Sequence, residues 1–354
     1  MLSEIEIKGF KCFDEVIIPL RKINLFTGTN SSGKSSAIQA LLLMIHNAAG
    51  SNSSPLNGMW LRLGSFDECR NHILNKREFS ISLKKNEEAY TLTFSANGEE
   101  GDLAEVKSLE SPKSIIELLK PENSHVFYIP ANRQGVADYY NKNFDIHNTF
   151  GSQGEFAVDY LYRNKNKVIA DELILNNNSF TLSSQVNYWL EKLLGVSINI
   201  NENKLSNSYS VEYKRGDTKP LRPYHVGSGV SYALSVIISC LSARKNDIVI
   251  LENPEIHLHP RAQAELTEFI CRVANSGVQV IIETHSDHTF NGICKAIVRN
   301  EISHNDCSIQ YFHLDEDSIS HNANIELNKY GRVLNHQKGL FDQFDEDLNA
   351  ILGL

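Results

Sequence analysis

The chain opens on an alternation in which Ile5 and Ile7 stand between charged residues, the period of a strand half-buried in a sheet rather than the basic-then-apolar layout of a secretion signal. Residues 16–20 form a second extended run, and 23–26 a third that leads straight into a loop bounded by glycines. Beyond the loop, residues 34–47 carry Ile38, Leu41, Leu42 and Ile45 at the spacing of one helical face. Residues 79–83 and 90–94 alternate like antiparallel strands around a polar stretch at 84–88, with Asn97 and Gly98 as turn residues beyond. From 154 to 195 the pattern breaks into helical patches at 156–161 and 189–194, separated by the asparagines 176–178, which reads as an insertion of short helices.

After Gly227 the rhythm becomes regular. A helix at 232–243, a strand at 248–251, a helix at 260–274, a strand at 278–282 and a helix at 287–299 are the alternation of α/β crossovers, and further strands are expected around 308–314 and 325–327. The expected organisation is an N-terminal lobe with an antiparallel sheet (1–150), a helical insertion (151–222), a C-terminal lobe (223–320) and a tail segment (321–354). Internal repeats, low-complexity tracts and the long charged heptads of a coiled-coil arm are all absent from the pattern.

Composition narrows the class. With 41% hydrophobic and 22% charged residues, the 354-residue chain fits a folded protein of one two-lobed domain or two domains. Its longest apolar runs, such as 41–45 and 236–238, fall well short of the roughly 20 residues that cross a bilayer, so no membrane span and a cytoplasmic location are expected. Six cysteines without a C-x-x-C pair read as reduced packing residues. A formal charge of −9 argues against coating nucleic acid by bulk electrostatics. The acids Asp342, Asp345, Glu346 and Asp347 read as a solvated face, or as a surface for a basic partner.

The glycine loop carries the chemistry. Gly28-Thr-Asn-Ser-Ser-Gly33-Lys34-Ser35 matches G-x-x-x-x-G-K-[ST] at every fixed position, with a strand before it and a helix after it. A chance match in a chain of this length is about one in a hundred, which leaves little weight for an ordinary glycine turn capping a helix. Asn30, Ser31, Ser32, Gly33, Lys34, Ser35 and Ser36 would line the phosphates of ATP, with Lys34 reaching the β and γ phosphates and Ser35 holding magnesium. A second element, the apolar run 247–251 ending in Glu252, has the form of a strand that presents a carboxylate to magnesium or its water.

Leu251-Glu252-Asn253-Pro254-Glu255-Ile256-His257-Leu258-His259-Pro260 and Glu283-Thr284-His285-Ser286 resemble the SMC/RecF/OLD-like clade of ABC-type ATPases. So do Gly9-Phe10-Lys11-Cys12-Phe13 and Val226-Gly227-Ser228-Gly229-Val230-Ser231, the latter similar to a degenerate ABC signature loop. The resemblance spans most of the chain. It implies an α/β fold, a two-lobed ABC-type P-loop NTPase head with an antiparallel β subdomain and a helical insertion. It also implies a homodimer, or a higher even-numbered oligomer, in which two heads meet head-to-tail with ATP between one P-loop and the other signature loop. Ser228 and Gly229 would then touch the partner's γ-phosphate, and His285 would be the switch histidine. Without the family, His285 reads as a satisfied loop histidine, and the pair His257 and His259 as a metal site only if other ligands joined it.

One departure matters. The pattern places a glutamate after the Walker B acid to polarise the attacking water, whereas this chain has Asn253. An amide positions water but takes no proton, and general-base help is worth about 10² to 10⁴ in rate. Slow turnover is expected, with ATP acting as a clamp and Glu255 as a substitute base in the same turn. Gln39 is expected to face the fold, so Gln153 is the better candidate for a loop gating the site, with an ordinary turn as the alternative. The stretch Tyr128-Ile-Pro130-Ala-Asn-Arg133 also resembles OLD-like ATPases, without assigning a role to Arg133.

SMC proteins need coiled coils, and OLD nucleases a Toprim domain of about a hundred residues for which the stretch after Ser286 is too short. The expectation is a stand-alone head that regulates a separate effector, a nuclease or toxin, as in bacterial anti-phage defence, with the segment from Leu327 to Asp342 either docking it or completing a sheet. The alternative is a RecF-like DNA-repair ATPase acting directly on DNA, which tight, salt-sensitive binding would reveal. The acidic balance favours the first. A transporter ATPase shares the P-loop, but the Thr-His-Ser and Leu-His-Pro motifs point away from it.

Overall fold

The computed structural model describes all residues except 49, 51–52, 98–102, 109, 121–122, 146–148, 175–178 and 353–354, so Gly98 and the asparagines 176–178 lie outside the described residues. The chain forms two compact units, one of Leu2–Pro112 with His285–Leu354, the other of Lys113–Thr284 with Met1.

The first unit starts with β1 (Glu4–Lys8), β2 (Glu15–Pro19) and β3 (Ile23–Gly28), followed by α1 (Lys34–His46), the short α2 (Phe66–Cys69), β4 (Glu78–Lys85), β5 (Glu88–Asn97) and β6 (Leu103–Ser108). An antiparallel sheet runs β2-β1-β4-β5-β6. Its register pairs Phe79 with Phe94 and Leu83 with Tyr90, which puts the alternating apolar positions on one face. There Phe79 stacks on Phe94 at 4.7 Å and on Phe66 at 5.7 Å, a small aromatic core. By contrast β3 is buried from Ile23 to Thr27, as a strand covered on both faces requires.

The second unit begins with α3 (Lys113–Leu119), β7 (Val126–Ile129), β8 (Tyr139–Asn141), α4 (Ala157–Arg163), α5 (Leu182–Leu194), β9 (Ser197–Asn203) and β10 (Ser208–Lys214). It continues through α6 (Ser228–Ser242), β11 (Ile248–Glu252), α7 (Pro260–Asn275) and β12 (Gln279–Glu283). Strands β7, β11 and β12 are parallel and set Glu252 opposite Glu283 at one end. The short helices expected in the middle are present as α4 and α5; α5 starts at Thr181, whose side chain accepts from Ser184 N–H, and stops at the left-handed Gly195. Trp189 of α5 packs on Phe269 of α7 at 4.4 Å. The antiparallel trio β8-β10-β9 was not expected from the pattern, although Ile198 and Ile200, then Tyr209, Val211 and Tyr213, carry its period of two.

The chain then returns to the first unit with α8 (Asp287–Val298), β13 (Cys307–Leu314), β14 (Ser320–Ile325) and α9 (Gln343–Leu352). β13 runs parallel to β3 and antiparallel to β14. The strand expected at 325–327 lies earlier: its last residue is Ile325, and Leu327 makes only an isolated bridge to Val333. Among the described residues no helix is long and apolar enough to cross a membrane.

Candidate nucleotide site

In the first unit the glycine loop leaves β3 at Gly28, whose φ is 140° and whose missing Cβ would run into the Phe312 carbonyl of β13. Only glycine lets the strand turn there without parting from its neighbour. Ser31 takes a left-handed φ of 60°, and the Ser32 hydroxyl donates to the Thr29 carbonyl at 2.8 Å, which curls the loop. The Ser320 hydroxyl donates to the Ser32 carbonyl and braces the loop from β14. Gly33 then caps α1 with no side-chain hydrogen bond, and the first turn of α1 holds no acid. A long helix that starts with neither a capping side chain nor a carboxylate fits an anion at its N-terminus, so the loop suits nucleotide phosphates.

Lys34 is 3% exposed, and its Nζ donates to the carbonyls of Gly28 at 3.0 Å and Thr29 at 2.6 Å. The ammonium is thus held inside the loop's own curve. Ser35 is exposed on the first turn, and Ser36 lies with its Oγ 4.0 Å from Cys12 Sγ. Gln39 accepts from Lys11 Nζ at 2.6 Å, turned into the unit's own packing as expected. His285 lies exposed just before α8; partial burial first, and the Lys34 charge second, hold its imidazole below the usual histidine range. It is therefore neutral at pH 7 and able to accept a hydrogen bond.

In the second unit the end of β11 gathers Glu252, Asn253 and Glu255 in one turn. Glu252 accepts from the Tyr128 hydroxyl at 3.0 Å and from the Ala131 amide at 3.1 Å, one donor on each oxygen. Burial, then the Glu252 charge, raises the Tyr128 phenol, so it stays a protonated donor. Asn253 sits at φ 42° with its N–H on the Glu283 carbonyl at 2.8 Å, and His257 at φ 62° turns the chain again before His259 caps α7. Asparagine is among the few residues that take such an angle readily. Glu255 is 8% exposed; Oε1 accepts from the Thr284 hydroxyl, whereas Oε2 is buried without a partner among the described residues.

Ser228 and Gly229 lie in the first turn of α6 after the cap Gly227, so the stretch read as a loop is already helix, and that helix begins four residues before the expected Tyr232. Ser228 is exposed there. Gln153 lies in a turn fixed by Glu155, which accepts from its N–H at 2.6 Å, and its carbonyl accepts from the Gln134 amide. His257 packs its ring on Tyr232 at 4.6 Å. Two groups that pattern reading did not assign, Tyr128 and Arg133, prove to be central to this turn. Both lie in the quoted stretch 128–133, but the partners they hold in this turn are more than a hundred residues away.

A family model described as "AAA domain, putative AbiEii toxin, Type IV TA system" matches residues 23–291. The chain belongs to this family. A second model, described as "Protein of unknown function (DUF3696)", matches residues 302–351. The AAA-domain chain is similar to the ATP/GTP phosphatase of Helicobacter pylori, 24% identical over 350 residues that cover 86% of this chain and 90% of the relative. It is also similar to the OLD nuclease of Thermus scotoductus, 21% identical over 330 residues, which cover 81% of this chain but only 59% of the nuclease. Among solved structures it superposes on an SMC head bound to the C-winged helix domain of ScpA, with TM-score 0.55, 15% identity and 93% and 98% of the two chains covered. A second Smc head, with an extended coiled coil and bound to the C-terminal domain of ScpA from Pyrococcus furiosus, gives 0.54, 14%, and 99% of both. The fold is that of an ABC-type ATPase head, and the chain is an SMC/OLD-like P-loop ATPase, as its motifs implied.

The buried Glu255 makes a pH prediction. Burial holds its carboxyl above the usual 4.5, against the Thr284 hydrogen bond and the Arg133 charge. As pH rises the unfolded chain gives up this proton first, so the stability it contributes is full below 4.5 and is lost as pH climbs through the folded value. Glu255→Gln removes the effect, and its melting midpoint should gain on wild type from pH 4.5 until the folded value is passed, and then hold a constant lead. Parallel melting curves across that range would show that Glu255 ionises as freely in the fold as outside it.

Proposed function

We propose that this protein is a cytoplasmic ATP-dependent switch that dimerises around ATP, or forms a higher even-numbered oligomer, and in that state regulates a separate effector, a nuclease or toxin, in an anti-phage defence system. Asn30 to Ser36 bind the phosphates, and Ser35 and Glu252 serve the magnesium that accompanies ATP. Ser228 and Gly229 reach the nucleotide of the partner head, and His285, kept neutral, accepts a hydrogen bond when the γ-phosphate is present.

The observation that carries this reading is Asn253. Its backbone is pinned on both sides, the N–H to Glu283 and the carbonyl to Arg133, directly after Glu252. An amide in this place orients water without accepting its proton, which favours a long-lived ATP state over rapid cycling. Glu255, with one oxygen buried and unpartnered, is the group left to take that proton slowly. Solved heads of this fold carry a bound ScpA domain, which supports a head that works through another chain.

Light scattering and phosphate release, with and without magnesium-ATP, test the proposal together. A mass that doubles with ATP and a turnover far below one per second are the expected results. Turnover of several per second at constant mass would replace the switch by a cycling motor.

A further inference from the structure

We propose that Arg133 is a positioning residue for ATP turnover, one that ties the helix start bearing Ser228 and Gly229 to the turn bearing Glu252 and Asn253 so that the two motifs move as one body. The inference rests on the dimer reading above, because there these motifs serve two different nucleotides.

Arg133 is 3% exposed, and among the described residues it forms no ion pair. Burial of an unpaired cation is costly unless its donors are satisfied. Here all five are spent on backbone. Nε donates to the Tyr232 carbonyl at 3.0 Å, Nη1 to Pro130 at 3.2 Å and Glu252 at 3.0 Å, and Nη2 to Asn253 at 2.9 Å and Pro254 at 3.2 Å. Burial lowers the guanidinium only to about 10, so it stays charged at neutral pH. Three successive carbonyls from the last residue of β11 onward therefore converge on one planar cation, which explains how a turn with left-handed angles at Asn253 and His257 is held.

The same fork reaches α6 through the Tyr232 carbonyl, and its carbon lies 5.7 Å from the centre of the Tyr232 ring. A second contact secures the pair. A Cβ on Gly229 would stand 2.5 Å from the His257 carbonyl and 2.9 Å from Leu258 Cδ2, so the first turn of α6 lies directly on the far side of the same turn. The tie from 252 to 258 is thus made at both ends, by a side chain that only arginine matches and by a glycine that only its own absence of a side chain permits. Lysine has the charge but neither the planar fork nor five donors.

A dimer built this way transmits occupancy of one nucleotide to the other through Arg133. The test uses the full chain as Arg133→Lys, Arg133→Gln and Gly229→Ala, with thermal melting as the control for folding. A fluorescent ATP analogue reports affinity at the P-loop, and phosphate release reports kcat and the Hill coefficient. We expect ATP affinity within about two-fold of wild type, kcat lower by about 10²-fold, and a Hill coefficient that falls to one. If Arg133→Gln fails to fold, Arg133→Lys decides, because it keeps the buried charge and removes the planar fork. Folded variants with wild-type kcat and cooperativity, or with affinity and kcat lost together, overturn the proposal. Wild-type protein that neither turns over ATP nor changes mass with it sinks the switch reading, and this inference with it.

Discussion

Lys34→Ala should lose ATP binding by roughly two to three orders of magnitude in Kd. In the proposed site the ammonium is the one group of the loop that would bring a full positive charge to the β and γ phosphates, and truncating one side of a buried charged contact costs about 2–5 kcal/mol. The structure adds a reason for the upper part of that range. Lys34 Nζ also bridges the carbonyls of Gly28 and Thr29, so the alanine variant leaves the loop both uncharged and less firmly curled. The His285 imidazole provides an internal check, since the Lys34 charge is one of the two causes that hold it low. In the variant its pKa should move back toward 6.5 but not reach it, because partial burial remains the larger cause. Titration with a fluorescent ATP analogue and histidine NMR measure the two effects. Unchanged affinity would remove the phosphates from this loop altogether.

How much of this was legible beforehand depended on whether a signal was local. The strand–loop–helix from Ile23 to His46 was readable because its period, its glycines and its lysine lie within one short stretch. The pairing of Phe79 with Phe94 was equally so, because two alternating runs flank one polar turn. The hairpin β9–β10 was missed although its apolar residues alternate, because the asparagines and glutamate between them resemble loop composition. The start of α6 reads as a loop in sequence because Gly227 and Gly229 are ordinarily helix breakers, while in the fold Gly227 caps and Gly229 yields room to the His257 carbonyl. Arg133 had no local signal. Its acceptors at Glu252, Asn253 and Pro254 lie 119 to 121 positions along the chain, and a side chain that works by gathering distant carbonyls leaves no spacing to detect. The motifs thus mark a candidate phosphate loop and a candidate acid, whereas the scaffold that sets the angle of the acid's turn is visible only in the fold.

Asn253→Glu should raise turnover by about 10²-fold or more, the lower end of what a general base contributes, because it restores a proton acceptor to the place that the ABC pattern reserves for one. The backbone there is prepared for the exchange. The N–H of residue 253 is fixed on Glu283 and its carbonyl on Arg133, and neither bond involves the side chain. What the change costs is the angle: φ is 42°, which asparagine tolerates and glutamate does not, so the variant should lose about 1–2 kcal/mol of stability. Gain of rate with loss of stability is a combination that few substitutions give, and it separates the two roles of this residue. Faster hydrolysis should also shorten the life of the proposed ATP-stabilised dimer, measured by light scattering after ATP is chased with ADP. A folded variant that hydrolyses no faster than wild type would mean that proton transfer at residue 253 does not limit the reaction, and that the slow step lies in the motion of the turn which Arg133 holds.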